Sequence, residues 1–101
     1  MPSYWRAAWC MPLGMAVLAA QADDEGRKLF NGVTPACALC HKLKDAGAAG
    51  EVGPSLDELK PDHARVVKAL RVGIGQMPAF PQLTEAQVQA LARYIEATAG
   101  K

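Results

Sequence analysis

Two cysteines, two histidines and one methionine carry the chemically capable side chains of residues 23–101. Cys37-Ala38-Leu39-Cys40-His41 places two thiols three residues apart, with an imidazole directly after the second. On a helix, positions i, i+3 and i+4 share a face. Cys37, Cys40 and His41 can therefore all address one flat ligand. This is the pattern of covalent haem attachment: the thiols form thioethers with the vinyl groups while the imidazole Nε2 coordinates iron. Three plainer readings compete. A thioredoxin-like redox pair sits at a strand-to-helix turn, and no run before Cys37 reads as a strand. A structural zinc wants four ligands, and His63 is the only other histidine or cysteine after residue 22, so a carboxylate would have to complete the set. A disulfide between cysteines three apart would close only a tiny loop.

A low-spin electron-transfer haem needs a second axial ligand, and Met77 is placed to be one. It lies 36 residues beyond His41, in the segment from Gly73 to Leu83, whose glycines and prolines forbid regular structure. Pro78 follows it and denies the backbone a helical hydrogen bond. A methionine kept for packing more often sits on a helix face among other apolar residues. His63 is the rival ligand, but it falls in the first turn of an expected helix beside Asp62 and Arg65, where a solvated side chain is the ordinary outcome. Gly53-Pro54 is the third element. The Nδ1 of His41 needs an acceptor that fixes its tautomer, and a carbonyl near Pro54 could supply one while also making a plain turn.

The elements that must position these groups are all helical, and no run reads as a strand. A first helix is expected over residues 24–31, with Leu29 and Phe30 on its buried side. Thr34-Pro35 reads as a helix start opening a short helix through about Lys42. Residues 45–53, rich in glycine and alanine, read as loop. Asp62 caps a helix to Val72, with Val66, Val67, Ala69 and Leu70 available to the core and Gly73 past its end. Thr84-Glu85-Ala86-Gln87 fits a capping box, and Val88, Leu91, Ala92 and Ile95 recur at helical spacing behind it.

At 101 residues the chain holds one domain at most. Residues 1–22 read as a cleaved export signal, with Arg6 ahead of an apolar stretch from Ala7 to Ala20 and small residues in Ala20-Gln21-Ala22. A retained anchor is the rival reading, although the apolar run is shorter than the ~20 residues that span a bilayer. Lipidation of Cys10 is disfavoured by the poor match of Ala7-Ala8-Trp9. Residues 23–101 carry ten Lys/Arg against ten Asp/Glu, which leaves no basic patch for nucleic acid and no strong field for a membrane surface. They keep only three aromatics, Phe30, Phe80 and Tyr94. A domain this small normally needs a staple, and a haem would supply the missing apolar bulk.

Taken together these residues resemble the small single-haem class I cytochromes c of bacteria. The likeness runs over residues 24–98: the first helix with Gly26 and Phe30, the motif at 37–41, Gly53-Pro54, Met77-Pro78, and a last helix with Leu91 and Tyr94. It implies an all-α fold of about four to five short helices wrapped around one covalently bound haem c. Cys37 and Cys40 would form the thioethers, and His41 and Met77 would ligate iron. The Pro54 carbonyl would accept from His41, and Gly26 would permit close approach of the first and last helices. It also implies a monomeric periplasmic electron carrier, not an enzyme, with no membrane insertion after processing.

A narrower resemblance joins Pro35 to His41, Gly53 to Asp62 and Gly73 to Pro78. These segments look like the cytochromes that accept electrons from periplasmic sulfite dehydrogenases, with an oxidase or another cytochrome as acceptor. Electrons would pass at the haem edge, framed by Ala38, Leu39, Ile74 and Ala79 within a rim of Lys42, Lys44 and Arg71. The alternatives are a ligand-binding or peroxidatic haem protein in which Met77 detaches, and a permanent haem subunit of a dehydrogenase.

Overall fold

The computed structural model describes residue 21 and residues 23–101. The export signal expected over 1–22, with its anchor and lipidation alternatives, therefore lies outside the described residues, Gln21 apart. Among the described residues the fold is five helices. They are α1 through 23–32, α2 at Cys37–Cys40, α3 at Leu56–Leu59, α4 at His63–Val72 and α5 at Glu85–Thr98. None is long and apolar enough to cross a membrane.

α4 and α5 start and stop where their caps say. The Asp62 carboxylate accepts from the Arg65 N–H at 2.8 Å, and Gly73 follows Val72. At α5 the Thr84 hydroxyl accepts from the Gln87 N–H and the Gln87 side chain accepts from the Thr84 N–H, a reciprocal capping box. Val88, Leu91, Ala92 and Ile95 are all buried. Against them α4 buries Val66 and Leu70, while Val67 and Ala69 are only partly covered.

The segment around the cysteines departs from expectation. α2 is a single turn whose N-cap is Ala36, and no side chain caps it. Thr34 instead offers its carbonyl to the Gln82 side chain at 2.9 Å. His41 is already extended (φ −118°, ψ 135°), because the next residues leave the helix for a sheet. Two short strands, β1 at Lys42–Leu43 and β2 at Ala48–Ala49, pair antiparallel with Lys42 opposite Ala49 and Leu43 opposite Ala48. A 3-10 turn at Lys44–Ala46 joins them, and Gly47 reverses the chain at φ 65°. Strands of two residues carry no period to read; Leu43, in the first of them, is wholly buried.

α1 crosses α5 at Gly26, where a Cβ would fall inside the Tyr94 side chain. Phe30 meets Tyr94 edge-on, with ring centroids 6.3 Å apart, an arrangement the ring quadrupoles favour. Above them the Tyr94 hydroxyl donates to Asp45 at 2.6 Å, and Arg27 donates to the same carboxylate oxygen at 2.9 Å. One acid on the 3-10 turn thus ties the first helix to the last. The Tyr94 hydrogen bond and Arg27 hold the Asp45 carboxyl below the usual range, while burial and Asp45 push the Tyr94 phenol up. Asp57 makes a second tie, accepting from the Lys44 N–H and the Gly100 N–H, each at 2.8 Å.

Candidate haem site

A cleft of about 660 Å³ is lined by α2, the segment around Pro54, α4 and the loop that carries Met77. That volume suits a cofactor pocket. Cys37, Cys40 and His41 line it together with Met77. Most of the remaining lining is apolar and comes from residues distant in sequence, among them Phe30, Leu56, Val66, Phe80 and Ile95.

His41 is held from behind. Its Nδ1 lies 2.8 Å from the Pro54 carbonyl oxygen. A carbonyl can only accept, so the ring proton sits on Nδ1 and Nε2 keeps its lone pair. Gly53 makes the approach possible, since a Cβ there would stand 2.6 Å from His41 Cε1 and 2.9 Å from Nδ1. Its N–H also donates to the Cys40 carbonyl at 2.6 Å. The sequence offered Gly53 only as part of a turn; its packing against the imidazole is a tertiary fact.

Cys37 and Cys40 are not joined in a disulfide, and both are half-buried. Among the described residues no three His, Cys, Asp or Glu side chains gather as a metal site, and no strand precedes Cys37. His63 is outside the cleft lining. It is half-buried and not solvated as expected: its Nε2 lies 2.6 Å from the Gln89 side-chain oxygen, and its backbone N–H donates to Glu96 at 2.7 Å.

Met77 sits in a tight turn closed by paired backbone hydrogen bonds with Ile74, at 2.9 and 3.1 Å. Gly73, at φ 74°, lets the end of α4 pass so near this turn that a Cβ would stand 2.8 Å from the Met77 oxygen. Beyond it the Phe80 N–H donates to the Leu70 carbonyl at 2.7 Å, and Gln82 reaches Thr34. The loop is thus fixed on both sides of Met77.

At the surface, Leu39 is 68% exposed and Ile74 64%, joined by Val52 at 76%. Lys42, Lys44 and Arg71 are all exposed, and the Arg71 guanidinium is paired with Glu85 on α5. The cations that do line the cleft are Arg65 and Lys68, which no motif marked.

Residues 21–95 match the family described as cytochrome c oxidase, cbb3-type, subunit III. The chain is also similar to the c-type cytochrome SorU from Sinorhizobium meliloti, known from a crystal structure. The two are 51% identical with a TM-score of 0.78, over 81% of this chain and 95% of that one. No curated protein matches. The chain belongs to the c-type cytochrome family. Its fold is that of a small class I member, its cofactor is covalently bound haem c, and it is an electron carrier and not an enzyme.

Proposed function

We propose that this chain is an exported periplasmic shuttle that moves one electron at a time. In this reading residues 1–22 are removed and residues 23–101 form the working, monomeric domain. Cys37 and Cys40 hold the haem by thioethers, and His41 and Met77 occupy the two axial positions. The observation that carries the reading is that His41 and Met77 line one apolar cleft, with the His41 Nδ1 engaged by Pro54 so that Nε2 is left for iron. When bound, the haem supplies a one-electron couple, and a methionine ligand favours its reduced form and raises the potential. The protein's part is to fill both axial sites, exclude water with the apolar lining, and keep Met77 still by fastening its loop at Ile74, Phe80 and Gln82.

The proposed electron donor is a sulfite dehydrogenase, and the acceptor is an oxidase or another cytochrome. The likeness of Pro35–His41, Gly53–Asp62 and Gly73–Pro78 to cytochromes that serve such dehydrogenases supports that donor. Leu39 and Ile74, exposed at the surface, suit a brief apolar encounter.

Met77→Ala tests the reading. The oxidised wild type should show the weak long-wavelength sulfur-to-iron band, and its reduced form should resist carbon monoxide at neutral pH. The variant should lose the band and bind the gas. A wild type that lacks the band and binds carbon monoxide is the ligand-binding protein instead. Reduction by sulfite in the presence of sulfite dehydrogenase, and its failure with the dehydrogenase omitted, checks the donor.

A further inference from the structure

The cleft is asymmetric in charge. Among the described residues no aspartate or glutamate lines it, and the only lysine or arginine side chains that do are Arg65 and Lys68, both on α4. Set three apart, the two lie on one face of the helix, where like charges repel. Among the described residues neither has a carboxylate within salt-bridge distance, whereas Arg71, a turn further on, pairs with Glu85. Asp62, the nearest acid in sequence to Arg65, spends its carboxylate on the Arg65 backbone N–H. Both side chains are exposed as well as lining, so they stand at the rim with apolar stems against the wall and charged heads near water.

A cleft with an apolar body and a purely cationic rim fits a ligand that is apolar over most of its area and anionic along one edge. Haem is such a molecule. Its vinyl carbons and its two propionate carboxylates lie on different edges of the ring, so thioethers at Cys37 and Cys40 leave the carboxylates directed elsewhere. α4, which packs on α5, is a separate wall from α2, which packs on β2.

We infer that Arg65 and Lys68 are the positioning residues for the haem propionates, pairing with the carboxylates at the cleft rim. The inference rests on the proposed seating of haem in this cleft. Pairing there neutralises negative charge that would otherwise stabilise the oxidised iron, so the two cations raise the reduction potential. The plain alternative, two solvated cations on a helix, predicts no such coupling.

The experiment is a potentiometric titration of the haem-loaded protein at low ionic strength, where such charges are least screened. Arg65→Gln/Lys68→Gln should shift the oxidation equilibrium about threefold to tenfold toward the oxidised form, tenfold being a fall of about 59 mV for one electron. The charge-preserving exchange Arg65→Lys/Lys68→Arg should stay near the wild-type value. Arg93→Gln, which removes an exposed cation outside the cleft, should shift it little. An unchanged potential in the double variant, or an equal fall in Arg93→Gln, overturns the inference. If the double variant does not accumulate, each single Gln variant should show part of the fall, and no fall in either overturns it. Wild-type protein without covalent haem, or without the sulfur-to-iron band, overturns the underlying reading as well. A loaded wild type whose potential ignores these two cations overturns this inference alone.

Discussion

The α1–α5 seam and the cleft between α2 and α4 solve the same problem, apolar surface to be removed from water, by opposite means. At the seam the polypeptide supplies both faces. Phe30 and Tyr94 are 0% and 1% exposed, Gly26 gives up its side chain so that the helices can meet, and the polar atoms above are joined through Asp45. At the cleft the polypeptide supplies only the walls, and about 660 Å³ is left between them. A seam of this kind is complete when the chain folds. A cleft of this kind is complete only with the haem that the family carries, which is why so small a domain can hold together with only three aromatics beyond residue 22.

The comparison breaks most visibly at the cysteines. Cys37→Ala/Cys40→Ala should leave no haem on the polypeptide after denaturing electrophoresis, and thermal unfolding should lose its cooperativity. A sharp transition at the wild-type temperature would mean that the cleft walls stand without their filling.

Overpacking the seam should cost less and leave the site alone. Gly26→Ala forces a methyl against Tyr94, a change worth about 1–3 kcal/mol. Urea unfolding should show that loss while the haem absorption spectrum stays as in wild type. A changed spectrum would show that seam and cleft are mechanically coupled.

The smallest effect sharpens the seam by pH. Asp45 holds its proton less readily when folded, chiefly through the Tyr94 hydrogen bond and then through Arg27. A carboxyl depressed in the native state contributes stability that is whole above its unfolded value, ~3.9, and that drains as pH falls through the folded one. The stability difference between wild type and Asp45→Asn, present at pH 7, should therefore shrink below about pH 4. Solvent screening keeps it modest, since the Asp45 side chain is 34% exposed. A difference constant across that range would show that the carboxylate adds nothing through its charge.

Legibility follows the range of the interaction. α4 and α5 could be bounded from Asp62, Gly73 and the Thr84–Gln87 box because a cap is made within four residues of the helix it ends. α2 was overestimated because its end is set by the pairing of Lys42 and Leu43 with Ala48 and Ala49, which overrides a locally reasonable continuation. α3, a single turn at Leu56–Leu59, is too short to show a period. His63 was expected to be solvated on its helix, and Arg71 to stand in a cationic rim. Each is taken up by a residue of α5, Gln89 and Glu85, that lies 26 and 14 positions away.

The sequence by itself determined which groups are available for chemistry: two thiols and an imidazole at one-turn spacing, a single methionine beyond residue 22, and a glycine-proline step between them. It also determined where the long helices begin and end. The glycine-proline step also pointed to a carbonyl near Pro54 as the acceptor for the His41 ring, and the tertiary structure supplied its distance, 2.8 Å from Nδ1. Only it decided that Gly53 is small for the sake of that ring, and that Arg65 and Lys68, alone among the cations of the described residues, line the cleft. The reason is physical. Side-chain type and helix capping act over a few residues, whereas a cleft is a surface assembled from segments that meet only after the chain has collapsed.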